Sequence, residues 1–285
     1  IEFNKMIASL KDRINFYEEF KQFYSEIVKD FKFDHHSDNE ARDFLHKTIL
    51  KKSKEWNLEK VLYSLNTLIN SKDIILVYGC GPSLEETIDY ILDTKGKKVF
   101  NNFLNFTADG ASRLLRENEI HVDAVFTDLD GITNMEFYYS KFVVLHAHGD
   151  NLDKLKDFEE HIIKFKNLVC TTQVEPLENI INHGGFTDGD RILFFLKSLV
   201  SSEQKIFLIG MDFNKIIGKY SKIGKLENFK GSKIKIMKLT YARKLIEWIQ
   251  NKIVCPIYYV NSTTKSKNFL NISLNSFKKS VLDKY

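Results

Sequence analysis

From Lys72 onward the chain repeats one unit, a short apolar run rich in β-branched residues followed by a stretch of helical period. The runs are Asp73–Gly79, Lys98–Phe100, Leu104–Thr107, Ala124–Phe126, Phe142–Leu145, Leu168–Cys170, Ile206–Gly210 and Ile257–Val260. Such short unbroken runs suit strands buried on both faces, and those occur in parallel sheets. Helical patterns at 83–93, 110–117, 151–165, 189–200 and 239–252 supply the crossovers. The expected fold class is therefore α/β, with a doubly wound, mostly parallel sheet.

Residues 1–70 carry helical period alone. Phe16, Phe20, Phe23, Tyr24, Ile27 and Phe31 form one stripe, and Ala41, Phe44, Leu45, Ile49 and Leu50 form another. A third pattern runs from Leu58 to Ile69. Aromatic residues at this spacing are packing surface. We expect a helical N-terminal domain or extension over 1–70 and an α/β domain over 71–285. Residues 214–238 have no clear period and contain Gly218, Gly224 and Gly231, so a long mobile basic loop is expected there. The tail after Lys265 has no clear pattern.

Composition excludes several classes. Cys80, Cys170 and Cys255 lie far apart and form no CxxC pair, so neither a zinc site nor a disulfide framework is indicated. No run is long enough to span a membrane, and the first residues lack a secretory layout. A reducing cytoplasm is the expected compartment, and Met6 a candidate start. From Asn214 onward there are 16 basic and 3 acidic residues, against 26 and 35 before it. A basic segment facing an acidic part suits a polyanionic ligand such as ATP. Few aromatics interleave with those lysines, so a single-stranded nucleic-acid surface is disfavoured.

The reactive residues fall at the ends of the apolar runs, where open α/β sheets bind ligands. Phe126-Thr127-Asp128-Leu129-Asp130-Gly131 places two aspartates two apart beyond one run. Paired carboxylates repel unless a cation lies between them, and Mg²⁺ on phosphate is the usual partner. The alternative is that Asp128 and Asp130 shape a turn. Gly79-Cys80-Gly81-Pro82-Ser83 ends the first run and opens a helix, the layout of an anion site, with Ser83 and Glu86 as a capping box. It matches neither the dinucleotide fingerprint nor a P-loop. Asp109-Gly110 adds a third carboxylate. His146-Ala147-His148-Gly149-Asp150-Asn151 is read as strand-end structure or substrate contact, because no third soft ligand accompanies the histidines. Thr187-Asp188-Gly189-Asp190-Arg191 opens another helix, where aspartates are stabilising in their own right. Gly210-Met211-Asp212-Phe213 closes the set.

Taken in order, Gly-x-Gly-Pro-Ser-Leu at 79–84, Ala-Asp-Gly-Ala at 108–111, Thr-Asp-Leu-Asp-Gly at 127–131, His-Ala-His-Gly-Asp-Asn at 146–151, Gly-Phe-Thr-Asp-Gly-Asp-Arg at 185–191 and Gly-Met-Asp-Phe at 210–213 resemble the archaeal 6-hydroxymethyl-7,8-dihydropterin pyrophosphokinases, the MptE-like family. The same core is similar to thiamin pyrophosphokinase. Ile192-Leu193 departs from the small residue expected after Arg191. The resemblance implies transfer of diphosphate from ATP to the hydroxymethyl group of a reduced pterin, in folate or tetrahydromethanopterin-type cofactor synthesis. It implies Asp109, Asp128 and Asp130 as Mg²⁺ ligands, with Asp188 and Asp190 completing the cluster or holding a second metal. Gly79, Gly81, Pro82, Ser83, Gly110 and Thr127 would line the ATP site. Arg191, Lys219 and Lys222 would neutralise the triphosphate. Asp150, Asn151, Asp190 and Asp212 would face the pterin. A homo-oligomer is compatible with it; a membrane or nucleic-acid partner is not implied. The rivals are a nucleotide-sugar glycosyltransferase like the flagellin-modifying relatives and a non-catalytic nucleotide- or nucleic-acid-binding protein.

Overall fold

A computed structural model describes residues 10–264 and 266–285, so Met6 lies outside the described residues. After helical residues 10–14 come helices α1 (Tyr17–Phe31), α2 (His35–Ile49) and α3 (Leu58–Ile69). Next are β1 (Ile74–Tyr78), α4 (Ser83–Lys95), β2 (Leu104–Ala108), α5 (Ala111–Glu117), β3 (Val122–Thr127), α6 (Met135–Tyr139) and β4 (Ser140–Ala147). Then follow α7 (Leu152–Asp157), α8 (Glu159–Lys164), β5 (Leu168–Thr172), α9 (Asp188–Leu196), β6 (Lys205–Ile209), β7 (Ile216–Ile217) and β8 (Phe229–Lys230). The last elements are α10 (Lys233–Ile249), β9 (Ile257–Val260), β10 (Leu270–Ile272) and α11 (Leu274–Ser280).

Eight strands form one sheet in the order β10-β9-β6-β1-β2-β3-β4-β5. Every pairing in it is parallel. The expected α/β class holds, and the unbroken apolar runs explain it. All residues of β1, β2, β3 and β5 are buried, and alternate side chains feed opposite layers. Ile75, Val77, Phe106, Phe126 and Leu208 pack with α1, α3, α9 and α10. Leu76, Tyr78, Val125, Leu145 and Ile209 pack with α2, α4, α5 and α11. The N-terminal helices thus share the sheet's two cores, and α2 and α3 cover the edge strand β5.

The chain passes outward from β1 to β5 and then returns to lay β6 on the other side of β1. The carboxyl ends of β1 and β6 therefore mark the switch point, the place where such sheets bind ligands. Gly81 N–H donates to Gly210 O at 2.7 Å there. A Cβ on Gly81 would meet Gly210 O and the Asp212 carboxylate at 2.5 Å, so the approach requires glycine.

Three expectations change. Lys98–Phe100 lies in a 3₁₀ turn over Lys97–Asn102, entered from Gly96 at φ 73°. Val99 and Phe100 are buried there without strand pairing; two apolar residues after two lysines give no strand-length run. The helix expected over 151–165 divides at Phe158 into α7 and α8. The basic segment is not one loop. Ile216 and Ile217 pair antiparallel with Lys230 and Phe229, and α10 already begins at Lys233, where Ser232 Oγ accepts from Lys235 N–H. The tail adds β10 beside β9.

Candidate active site

The site is built on turns at the ends of β1, β2, β3 and β6 and on the first turn of α9. The β3 turn works through Leu129, which is buried and held at φ 73°. Burying that side chain turns Asp128 and Asp130 outward. Thr127 locks the turn, its hydroxyl accepting from Leu129 N–H and donating to Asp109 Oδ1, at 2.8 and 2.7 Å. Asp109 is itself left-handed at φ 46°. Aspartate tolerates that region better than most residues. Gly131 lies against the Asp109 carboxylate, where no Cβ fits.

Asp188 comes from across the cleft. Thr187 and Asp190 form a capping box on α9. Asp188, in the same turn, faces Asp109 and Asp128. Ligand oxygens of these three carboxylates lie within 4.8 Å of one another. Arg191 Nη1 donates to Asp188 Oδ1 at 3.1 Å, and His148 Nε2 sits 3.2 Å from Asp128 Oδ2.

These neighbours set the charge pattern. Burial and the charge of Asp128 push Asp109 up to about 7. The same two causes raise Asp188 well above the usual carboxylate range. Burial also works against the charge of Asp128, but the His148 hydrogen bond and the nearby His148 and Arg191 charges outweigh it and hold that carboxyl low. Three carboxylates so placed cannot all ionise alone. A hard divalent cation is what this donor set fits, since Mg²⁺ takes carboxylate oxygens.

The cleft around the triad has a volume of about 290 Å³, near the lower end for small-molecule sites. Gly79, Cys80, Gly81, Asp130 and Lys222 line it as well. Asp130 is exposed and lies outside the close triad, where Asp188 stands instead. Lys219 does not line the cleft and pairs with Glu85 at 2.7 Å. Lys235 and Lys238, one helical turn apart on α10, do line it. Local pattern does not mark them, because 214–238 has no clear apolar period, yet their i,i+3 spacing places both on one helix face.

Several expected ligand groups serve the fold. Pro82 occupies the N-cap of α4 without a side-chain bond. Ser83 N–H and Oγ–H instead donate to Asp212 Oδ2 at 2.8 and 2.6 Å. The Ser83–Glu86 capping box is therefore replaced by a carboxylate from the end of β6. Gly79 N–H donates to Ile209 O, so the turn gives the cleft a close wall more than a ring of amides. Gly110 caps α5. Asp190 is 0% exposed and accepts from Phe186 N–H, Thr187 N–H and the Thr187 hydroxyl. Asn151 Nδ2 donates to Asp128 O and His146 O, and its Oδ1 accepts from His148 N–H. His146 is buried against Thr171 and does not join His148 as a ligand. Asp150 is exposed, on the wall of a second, smaller cleft.

Residues 47–218 match the family model described as 6-hydroxymethylpterin diphosphokinase MptE-like. The 6-hydroxymethyl-7,8-dihydropterin pyrophosphokinase of Pyrococcus furiosus is 37% identical over 82% of this chain and 94% of its own. That of Methanocaldococcus jannaschii is 34% identical over 82% of this chain and 96% of its own. Among solved structures, the Maf glycosyltransferase from Magnetospirillum magneticum AMB-1 aligns at 12% identity with a TM-score of 0.44, over 82% of this chain and 41% of that one. That last likeness is too slight to carry fold or function. The sequence relatives and the matched model agree, and the chain belongs to the 6-hydroxymethylpterin diphosphokinase MptE-like family.

Proposed function

We propose that this protein transfers the β,γ-diphosphate of ATP to the hydroxymethyl oxygen of 6-hydroxymethyl-7,8-dihydropterin, releasing AMP. The observation that carries this is the Asp109–Asp128–Asp188 cluster facing Arg191 at the strand ends. Relatives named for that pterin support the acceptor. Asp109, Asp128 and Asp188 would hold Mg²⁺, with Asp130 at the rim. Bound there, Mg²⁺ would offset charge on the phosphate oxygens.

The chain's own residues supply the rest. Arg191, Lys222, Lys235 and Lys238 surround the triphosphate with positive charge, which stabilises charge developing on the bridging oxygen. The pterin hydroxymethyl oxygen bonds to the β-phosphorus. The bond from that phosphorus to the α–β bridging oxygen breaks, and AMP keeps the electron pair. The hydroxyl proton passes to a rim carboxylate or to water. Positioning and electrostatics suffice for this chemistry, so no side-chain nucleophile is needed. The product is an activated pterin diphosphate suited to a condensation step of folate or tetrahydromethanopterin-type synthesis. Among the described residues, no helix is long and apolar enough to cross a membrane. With ATP, Mg²⁺ and the dihydropterin, chromatography should show AMP and pterin diphosphate in equal amounts. ADP in place of AMP, or nucleotide turnover independent of pterin, would refute the proposal.

A further inference from the structure

Two clefts meet at a wall made of Asp128, Phe186, Arg191 and Lys238. The larger lies over the ends of β6, β1, β2 and β3. The smaller, about 120 Å³, lies over the ends of β3, β4 and β5, through Asp128, His148, Asp150 and Gln173. It is closed by Phe33, Asp34 and Ser37, where α1 joins α2. We propose that this smaller cleft is the acceptor subsite. It holds the flat bicyclic ring of the reduced pterin, with the hydroxymethyl arm toward Asp128, and the larger cleft holds the nucleotide. The assignment rests on the diphosphokinase function proposed above.

Reaction geometry supports it first. In phosphoryl transfer the entering and leaving oxygens lie roughly in line, on opposite sides of phosphorus. With the nucleoside over β6 and β1 and the diphosphate at the triad, the acceptor must approach from beyond β3. The strand order puts the smaller cleft on that side. Its volume is too small for a nucleotide. It still exceeds several times the space one water needs, which leaves room for a single flat ring system.

The walls are suited to such a ring. Phe33 and Phe186 have centroids 6.3 Å apart and line the cleft. Aromatic faces bind flat heterocycles by stacking. Among the carboxylates of this cleft, one is left for polar recognition. Asp34 is spent on His36 N–H and the Ser37 hydroxyl. Asp38 is spent on Gly149 N–H, Gln173 Nε2 and the Tyr24 hydroxyl. Asp128 is held by His148. Asp150 makes no hydrogen bond or ion pair among the described residues. A carboxylate can accept both adjacent N–H groups of a 2-amino-4-oxopyrimidine edge. Arg191 Nε is buried, has no hydrogen-bond partner among the described residues, and belongs to the wall between the clefts, where the transferred diphosphate would sit. Acceptor choice thus depends on the α1–α2 connection as well as the sheet.

The test compares wild type, Asp150→Asn and Phe33→Ala. Binding of fluorescent 6-hydroxymethylpterin without ATP is measured together with steady-state KM for dihydropterin and for ATP. Asp150→Asn, at an exposed position, should raise pterin Kd and KM roughly tenfold or more, and Phe33→Ala should act in the same direction. KM for ATP should stay within about twofold, a split that a general loss of structure would not produce. Unchanged pterin constants in both variants, or ATP and pterin KM rising together, would overturn the subsite while wild-type turnover upholds the function. A wild type that makes no pterin diphosphate would overturn the function and the subsite with it.

Discussion

Asp128 keeps its charge because His148 and Arg191 stand beside it, whereas Asp109 and Asp188 are raised by burial and by Asp128 itself. The sign of the pH effect follows. A carboxyl raised from 3.8 to about 7 makes the folded chain bind more protons than the unfolded one between those values. The contribution of Asp109 to the stability of the metal-free protein should then fall as pH rises from about 4 to about 7. Without divalent ions, Asp109→Asn, which cannot ionise, should gain Tm relative to wild type between pH 5.5 and pH 8, and added Mg²⁺ should shrink that gain by raising the wild type alone; a Tm difference that does not change over this interval would contradict the charge pattern. At this scale the sequence pointed to the run ends and to the carboxylates gathered there. The Asp-Leu-Asp turn is legible because an apolar residue between two aspartates must go inward. What local pattern cannot reveal is which aspartate completes the triad. Asp130 is adjacent in sequence but points to solvent, while Asp188 arrives from a turn sixty positions on.

Two elements decide what the site can offer. Helix α4 starts beside the cleft, and its first turn is capped by Asp212 from the end of β6. This long-range cap is invisible to local pattern, which favours Ser83 with Glu86. Asp212→Ala should cost about 1–2 kcal/mol in urea unfolding, and Glu86→Ala far less. Equal effects would restore the local capping box. Helix α10 starts at Lys233, six positions before the point its apolar period suggests, because Ser232 caps a lysine-rich turn that buries little. The early start brings Lys235 and Lys238 to the cleft. Alanine at either should raise KM for ATP several-fold, while Lys219→Ala, whose partner is Glu85, should change it little. The opposite ranking in steady-state kinetics would place the triphosphate nearer β7 and β8.

At the scale of the whole molecule, one parallel sheet with a switch point between β1 and β6 gathers the dispersed motifs along one edge. That much could be read in advance, since apolar runs without alternation demand burial on both faces. The role of residues 1–70 could not. Their aromatic stripes predict packing but not its partner, and in the structure residues 10–70 complete both layers and close the smaller cleft. On the proposed function, the acidic triad at this edge delivers two phosphates together. The most direct measurement supplies ATP labelled with ³²P at the β or the γ position, with Mg²⁺ and 6-hydroxymethyl-7,8-dihydropterin, to wild type and to Asp188→Asn. Both labels should reach the pterin equally in wild type, with transfer slowed roughly a hundredfold or more in the variant. Transfer of the γ label alone, or an Asp188→Asn protein as fast as wild type, would contradict it.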